Sequence, residues 1–205
     1  MPVITRLVRT RGLYPRARIY LDEGYAFSLE LEAAACLKKE QYLSDDEIKS
    51  LKRASEGERA LAVALRALVR RPYSRWEMEQ KLTHKQFTAE IAADTVGKLA
   101  ARGLLDDVDF ARFWRENRDA FRPRSRAFVG FELRRKGVTV EDIKAVTADM
   151  DDETSALQAG EKKAKSLGQA DHLTFCRRLG DYLRRRGYNY EVIQVTVDKL
   201  WQARV

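Results

Sequence analysis

The sequence predicts an all-α protein in which tandem three-helix units stack into an elongated, curved body, with a small β-hairpin at the N-terminus. The pentapeptide at residues 71–75 returns at residues 122–126 with four of its five residues unchanged. A third copy of the pattern places Gly187 50 residues after Gly137. From residue 55 onward the apolar residues follow a helical period. Self-similarity at one fixed period indicates stacked supersecondary units.

The N-terminal segment is richer in β-branched and aromatic residues than the rest of the chain. Two such runs lie on either side of Asp22-Glu23-Gly24, which is a turn signal, so they predict a β-hairpin. A short helix is predicted for residues 30–39, and the capping box Ser44-Asp45-Asp46-Glu47 begins another. We therefore predict an N-terminal domain of a hairpin and short helices over residues 1–52.

The first three-helix repeat is predicted over residues 53–105. Its first helix carries an apolar stripe formed by Leu61, Leu65, Leu68 and Val69. Pro72 ends that helix, and a second helix begins at the capping box of residues 74–77. The third helix is predicted over residues 88–102, with Gly103 as its stop.

Two further repeats follow the same plan, over residues 106–150 and residues 151–205. The predicted helices of the second repeat are residues 107–121, 125–136 and 139–148. Those of the third repeat are residues 153–167, 171–186 and 189–201. The third helix of every repeat begins with a residue that caps exposed backbone N–H groups, namely Thr88, Thr139 and Asn189.

Composition restricts the class of protein. The net charge is +8, from 39 basic and 31 acidic residues, which suits either an anionic partner or simply a well-solvated surface. Two distant cysteines and two histidines build neither a disulfide framework nor a zinc site. No apolar run approaches the ~18 residues of a membrane span. We expect a cytoplasmic protein without a membrane segment.

Signatures of catalysis are missing from the sequence. The chain has no Gly-rich phosphate-binding loop followed by Lys-Ser/Thr. Asp106, Asp107 and Asp109 are interpreted as the acidic opening of a helix rather than as metal ligands. Neither His84 nor His172 has a recognisable nucleophile beside it. We therefore expect no enzymatic activity, no metal and no cofactor.

Arginine-rich clusters are the strongest candidates for a binding surface. Cations in the last turn of a helix are explained by the helix dipole alone, which accounts for residues 134–136 and 184–186. Residues 122–126 precede their helix, where positive charge is unfavourable, so a docking surface is the preferred interpretation there. The candidate partner-binding residues are Arg71, Arg75, Arg122, Arg124, Arg126, Arg134, Arg135, Lys136, Arg177, Arg178, Arg184, Arg185 and Arg186.

Aromatic residues near these clusters are assigned to the core rather than to base stacking. Phe110, Phe113 and Trp114 share one helix face, and Phe128 and Phe131 are also spaced as i and i+3. Aromatic residues at a helical period usually fill an interior.

Several spaced motifs resemble the RecX family of regulators of the RecA recombinase. They are the residues at 71–77 with Leu82, at 103–111 with Trp114, at 132–138 and at 182–193. The resemblance covers about residues 58–201. Tyr73 departs from the family pattern, which commonly has a basic or polar residue there.

The resemblance implies tandem three-helix repeats and a monomer that lodges in the groove of the RecA filament on single-stranded DNA. There it would inhibit ATP hydrolysis, strand exchange and coprotease activity, or promote disassembly of the filament, and so act in homologous recombination, DNA repair and the SOS response. Two other functions stay open: a protein that binds DNA directly through the same basic residues, and a general helical scaffold for unrelated proteins.

Overall fold

The computed structural model of the chain describes residues 1–12, 15–22 and 24–203. Within this part the fold is mostly helical with one small sheet, as predicted. Glu23 of the predicted turn signal lies outside the described residues. Two compact units can be distinguished, and we call them the first and the second unit. The first contains residues 1–71 and 78–101, and the second contains residues 72–77 and the chain from residue 102 onward.

The N-terminal sheet is antiparallel and has three strands in the order β1-β2-β3. The strands are β1 (Ile4–Arg9), β2 (Arg16–Leu21) and β3 (Gly24–Glu30). The predicted hairpin corresponds to β2 and β3, whereas β1 was not predicted as their partner. Ile19 pairs with Leu7 on one side and Phe27 on the other, and the buried residues of this face form a core.

Four helices follow the sheet: α1 (Leu31–Ala34), α2 (Asp45–Leu68), α3 (Arg75–His84) and α4 (Ala89–Ala101). The short helix predicted at residues 30–39 is thus a single turn. The capping box before α2 is confirmed, because Ser44 Oγ accepts from Glu47 N and a Glu47 carboxylate oxygen accepts from Ser44 N at 2.7 Å. The boundary predicted after residue 52 falls inside α2, and as a division between domains it stays a prediction.

The apolar stripe predicted on α2 is not its buried face. Val69 is 88% exposed, whereas Ala60, Ala64 and Ala67 are buried. Small residues at i, i+4 and i+7, rather than the predicted stripe, are therefore the buried positions of α2, which contacts both α4 and β3.

The second unit contains six further helices among its described residues. They are α5 (Asp107–Phe121), α6 (Arg126–Arg134), α7 (Val140–Thr147), α8 (Asp152–Lys165), α9 (His172–Arg184) and α10 (Tyr190–Gln202). Helices α5–α7 share one core around Phe110 and Leu133, and α8–α10 share another around Phe175 and Leu183. Leu133 and Leu183, which the repeat aligns, are both fully buried. The two boundaries predicted between the repeats, after residues 105 and 150, stay a prediction.

Candidate partner-binding surface

The start of α3 contacts the turn that follows α6, and we call this contact the first joint. Ser74 is fully buried. Its Oγ donates a hydrogen bond to the carbonyl of Lys136 at 2.6 Å and accepts one from Glu77 N at 3.0 Å. Gly137 lies against Trp76, so that a Cβ on this glycine would be 2.5 Å from Trp76 Cβ. A single contact therefore explains both the serine at position 74 and the glycine at position 137.

The start of α6 makes the equivalent contact with the turn after α9, which we call the second joint. Ser125 is fully buried, and its Oγ caps α6 by accepting from Phe128 N at 3.2 Å. Its backbone N donates to the carbonyl of Arg186 at 3.1 Å. Gly187 lies against Phe128, and a Cβ there would be 2.7 Å from Phe128 Cβ. At both joints, the repeated motif (residues 71–75 and 122–126) therefore contacts the turn that follows the second helix of the next repeat.

An aspartate completes each joint. Asp107, the first residue of α5, accepts from Arg75 N at 2.8 Å, and Asp152, the first residue of α8, accepts from Arg126 N at 2.7 Å. A carboxylate at a helix N-terminus is favoured by the exposed N–H groups and the helix dipole.

Asp106 is the N-cap residue of α5, and its pKa is lowered chiefly by the hydrogen bond from the Asp109 backbone N–H. These aspartates open helices, as the sequence suggested. The described residues contain no group of three or more side chains suited to hold a metal ion.

Each joint brings together two basic segments that are distant in sequence. The first joint places Arg75 beside the turn at residues 134–136, and the second places residues 122–126 beside residues 184–186. The pKa of Arg186 is lowered first by burial, with a further contribution from the positive charge of Arg124. The two clusters that the sequence showed separately are therefore parts of one basic region at the second joint.

Lys136 and Arg186 are held by contacts inside the chain. Lys136 forms an ion pair with Glu77, and its Nζ lies 4.0 Å from the centre of the Trp114 ring. The guanidinium of Arg186 lies 3.6 Å from the centre of the Tyr182 ring. Both cations are half-buried, so they stabilise the joints rather than project from them.

Arg124 is also engaged inside the chain, although its sequence position favoured a partner contact. Its guanidinium lies 4.3 Å from the centre of the Phe128 ring, and its Nε is 3.5 Å from Glu132. Glu132 also accepts from Arg118 Nε at 2.7 Å and from Trp114 Nε1 at 2.9 Å. This network accounts for a cation before a helix without any partner, so a partner contact by Arg124 stays a prediction that the helix dipole alone does not require.

The other candidates divide by exposure. Arg75 and Arg184 are exposed and paired with Asp107 and Asp181, and Arg71 is half-buried in the first unit. Seven side chains of the second unit are exposed and form no ion pair within the described part of the chain. They are Arg122, Arg126, Arg134, Arg135, Arg177, Arg178 and Arg185. We call these seven the exposed arginines.

Two aromatic side chains are exposed in the same segments. Phe121, which precedes Arg122, is 73% exposed, and Phe131 is 53% exposed. The guanidinium of Arg135 lies 5.8 Å from the centre of the Phe131 ring. The prediction that Phe131 belongs to the core is therefore wrong, whereas Phe110 is fully buried as predicted. The signal missed in the sequence was the i, i+4 spacing of Phe131 and Arg135.

One histidine does have a thiol beside it, contrary to the sequence interpretation. His172 and Cys176 are one helical turn apart on α9, with Nε2 and Sγ 3.4 Å apart. Burial, with a smaller effect from the charge of Asp198, raises the pKa of Cys176. A nucleophilic cysteine needs a lowered pKa, so this pair lacks the electrostatics of an activated thiolate.

Helices long and apolar enough to cross a membrane do not occur in the described part of the chain.

The second unit is thus helical, has two joints of the same kind, and carries seven exposed arginines without an ion pair among the described residues. Residues 60–99 match the model of the first three-helix domain of RecX, and residues 151–196 match that of the third. The chain belongs to the RecX family.

Relatives with the name regulatory protein RecX come from several bacteria. The protein of Chlorobium limicola is 31% identical over 143 residues, which cover 70% of this chain and 90% of the relative. That of Amycolatopsis mediterranei is 37% identical over 115 residues, covering 55% and 66%. The match to the Lactobacillus johnsonii protein is 27% identical and spans 98% of this chain and 75% of the relative.

Solved structures of RecX proteins share the fold. The crystal structure of a regulatory protein RecX superposes with a TM-score of 0.66 at 21% identity, covering 97% of this chain and 100% of the other. RecX from Lactobacillus salivarius superposes with a TM-score of 0.59 at 17% identity, covering 73% and 99%.

Proposed function

We propose that the chain regulates RecA filaments, mainly as an inhibitor, by docking the exposed arginines into an acidic groove of the filament on single-stranded DNA. Family membership supports RecA as the partner. The observation that carries the choice of surface is that each joint unites two basic segments, and that Arg134, Arg135 and Arg185 beside the joints are exposed and have no carboxylate partner within the described residues. The cytoplasm is the compartment in which this protein would meet the filament.

The chemistry of the exposed side chains suits a protein groove lined with carboxylates. The planar guanidinium makes paired hydrogen bonds to a carboxylate, which a lysine ammonium cannot do. Phe121 and Phe131 add apolar area beside the arginines. Aromatic residues and arginine together are enriched among the residues that contribute most to binding at protein interfaces. The surface therefore has both anchoring area and charge.

Inhibition follows from binding one state of the filament better than another. A ligand shifts a conformational equilibrium only by its difference in affinity for the two states. A chain that contacts neighbouring RecA subunits would hold them in one relative arrangement, and the subunit movements of ATP turnover would become rarer. ATP hydrolysis, strand exchange and coprotease activity would then fall together, with consequences for recombination, DNA repair and the SOS response.

The test compares charge reversals on and off the surface. We expect the full chain to inhibit the single-stranded-DNA-dependent ATPase and the strand exchange of RecA. The double variant Arg134→Glu/Arg135→Glu should require roughly tenfold more protein for half-inhibition, because it places like charges against an acidic groove, which slows association and costs binding free energy. Lys144→Glu is the control, since Lys144 is an exposed cation on α7 outside the candidate set.

Three results would contradict the proposal. RecA activity unaffected by stoichiometric protein would exclude regulation of the filament. Equal weakening by Lys144→Glu would mean that general charge, not this surface, carries the effect. Tight binding to bare DNA that is lost with Arg134 and Arg135, without any effect on RecA, would favour the direct DNA-binding alternative.

A further inference from the structure

The outer face of the N-terminal sheet is basic and aromatic. Side chains alternate along β2, so that Ala17 and Ile19 are buried, whereas Arg18 is exposed and Tyr20 is half-buried. The register places Arg6 of β1 and Tyr25 of β3 opposite Tyr20 on the outer face. Because cross-strand partners point to the same side of a sheet, these side chains form one continuous surface.

The aromatic rings on this face form a row across the three strands. The guanidinium of Arg6 lies 4.1 Å from the centre of the Tyr20 ring, and the rings of Tyr20 and Tyr25 meet edge to face with centres 5.9 Å apart. Cross-strand pairs of this kind stabilise small sheets, which explains why an aromatic residue occupies position 20. Tyr25 takes part in the same pair and its hydroxyl lies 3.1 Å from Ser28 Oγ, yet 59% of the residue stays exposed at the end of the row.

A cleft of about 660 Å³ adjoins Tyr25 between β3 and α2. The α2 wall contributes the cations Lys52 and Arg59 and one carboxylate, Glu56. Arg16 lines the same cleft and donates to the carbonyl of Ser28 at 3.2 Å. The cleft thus continues the basic surface past the edge of the sheet, entirely within the first unit.

We propose that this sheet face and cleft bind a single strand of nucleic acid. A base stacks on the exposed ring of Tyr25, and phosphates contact Arg6 and Arg18 on the sheet and Lys52 and Arg59 in the cleft. An exposed ring flanked by cations, on a sheet surface, is the arrangement by which proteins hold unpaired strands without reading their sequence. A duplex hides its base faces and gives Tyr25 nothing to stack on. This site shares no residue with the surface proposed above and does not depend on it.

The binding measurement is the fluorescence anisotropy of a labelled oligothymidylate, titrated with the full chain over a salt series. Four phosphate contacts predict that log K falls against log salt with a slope of about −3, and Arg6→Ala/Arg18→Ala should reduce this slope by about 1.4. Tyr25→Ala should weaken binding roughly tenfold, whereas Tyr25→Phe, which keeps the ring, should bind normally. Tyr42→Ala is the matched control, because Tyr42 is 68% exposed in the same unit.

Circular dichroism and the midpoint of thermal unfolding establish that each variant is folded before its affinity for the oligonucleotide is measured. The proposal is overturned if the oligonucleotide does not bind at low salt, or if Tyr25→Ala binds as tightly as the parent chain. It is also overturned if Arg134→Glu/Arg135→Glu removes binding that Tyr25→Ala leaves intact. Displacement of the oligonucleotide by polyglutamate as readily as by unlabelled strand would assign the face to an acidic protein instead.

Discussion

Substitution of Gly137 by alanine tests the first joint directly. Gly137 has a φ of +80°, a conformation that side chains with a Cβ rarely adopt, and its missing Cβ would be 2.5 Å from Trp76 Cβ and 3.0 Å from Trp76 Cγ. The Cβ of Trp76 is fixed to the backbone of α3, so the clash cannot be relieved by a rotation of the indole. Either the turn or the start of α3 must move, and both carry the bond from Ser74 to Lys136.

The structure supplies an internal reference for the magnitude. Gly103 also has a positive φ, +67°, but a Cβ there would meet no atom within 4 Å. Gly103→Ala should therefore lower the free energy of unfolding only by the backbone strain, about 1 kcal/mol. Gly137→Ala adds an overpacking cost of about 1–3 kcal/mol, for a total of roughly 2–4 kcal/mol.

Equilibrium unfolding in urea, followed by circular dichroism and tryptophan fluorescence, measures both variants. Gly187→Ala should behave like Gly137→Ala, because its Cβ would lie 2.7 Å from Phe128 Cβ at the second joint. If Gly137→Ala lowers the unfolding free energy by no more than Gly103→Ala, the close approach of the turn to α3 does not exist and the account of the joints fails.

Two further predictions concern buried polar groups of the second unit. Glu132→Ala should lower the free energy of unfolding, measured in urea, by roughly 2 kcal/mol, because it leaves Arg118 and Trp114 Nε1 without their acceptor. The prediction is contradicted if Glu132→Ala lowers the free energy of unfolding by less than Thr139→Ala, which removes an exposed cap. Burial raises the pKa of Tyr188 to about 12, above its ordinary value near 10, so the unfolded state loses its proton first as pH rises. The contribution of Tyr188 to the free energy of unfolding should therefore be fully present below pH 10 and fall by about 1 kcal/mol by about pH 11. Tyr188→Phe should not show this fall between neutral pH and about pH 11.

The sequence was sufficient to predict the helices of the second unit, because helix boundaries are set by local chemistry. Asp106, Ser125, Thr139 and Asn189 each cap a helix with their own side chain, and each cap lies within three residues of the N–H that it accepts from. The helix of residues 107–121 has the bounds that the repeated plan of the chain predicted. Such signals need no knowledge of the tertiary structure.

Contacts between distant residues set the limit of prediction. Ser74 and Lys136 are 62 positions apart, and no local pattern shows that the serine hydroxyl donates to that carbonyl. The same limit explains the arginines. Arg124 and Arg126 stand in one motif, yet Arg124 reaches Glu132 and Phe128, whereas the side chain of Arg126 is exposed. The position of Glu132 on α6 determines that Arg124 is engaged inside the chain whereas the side chain of Arg126 is not.

The joints connect the stability of the second unit to its proposed activity. The backbone and small residues of the repeated motif form the joint, and the exposed arginines beside it are the ones that the proposed function assigns to a partner. A change at Gly137 or Gly187 should therefore impair RecA inhibition in proportion to the lost stability. A change at Arg134 or Arg185 should impair inhibition at full stability, because both side chains are exposed and unpaired within the described residues. If the arginine variants lost activity only in step with unfolding, those side chains would be structural, and the docking surface would have to be sought elsewhere on the chain.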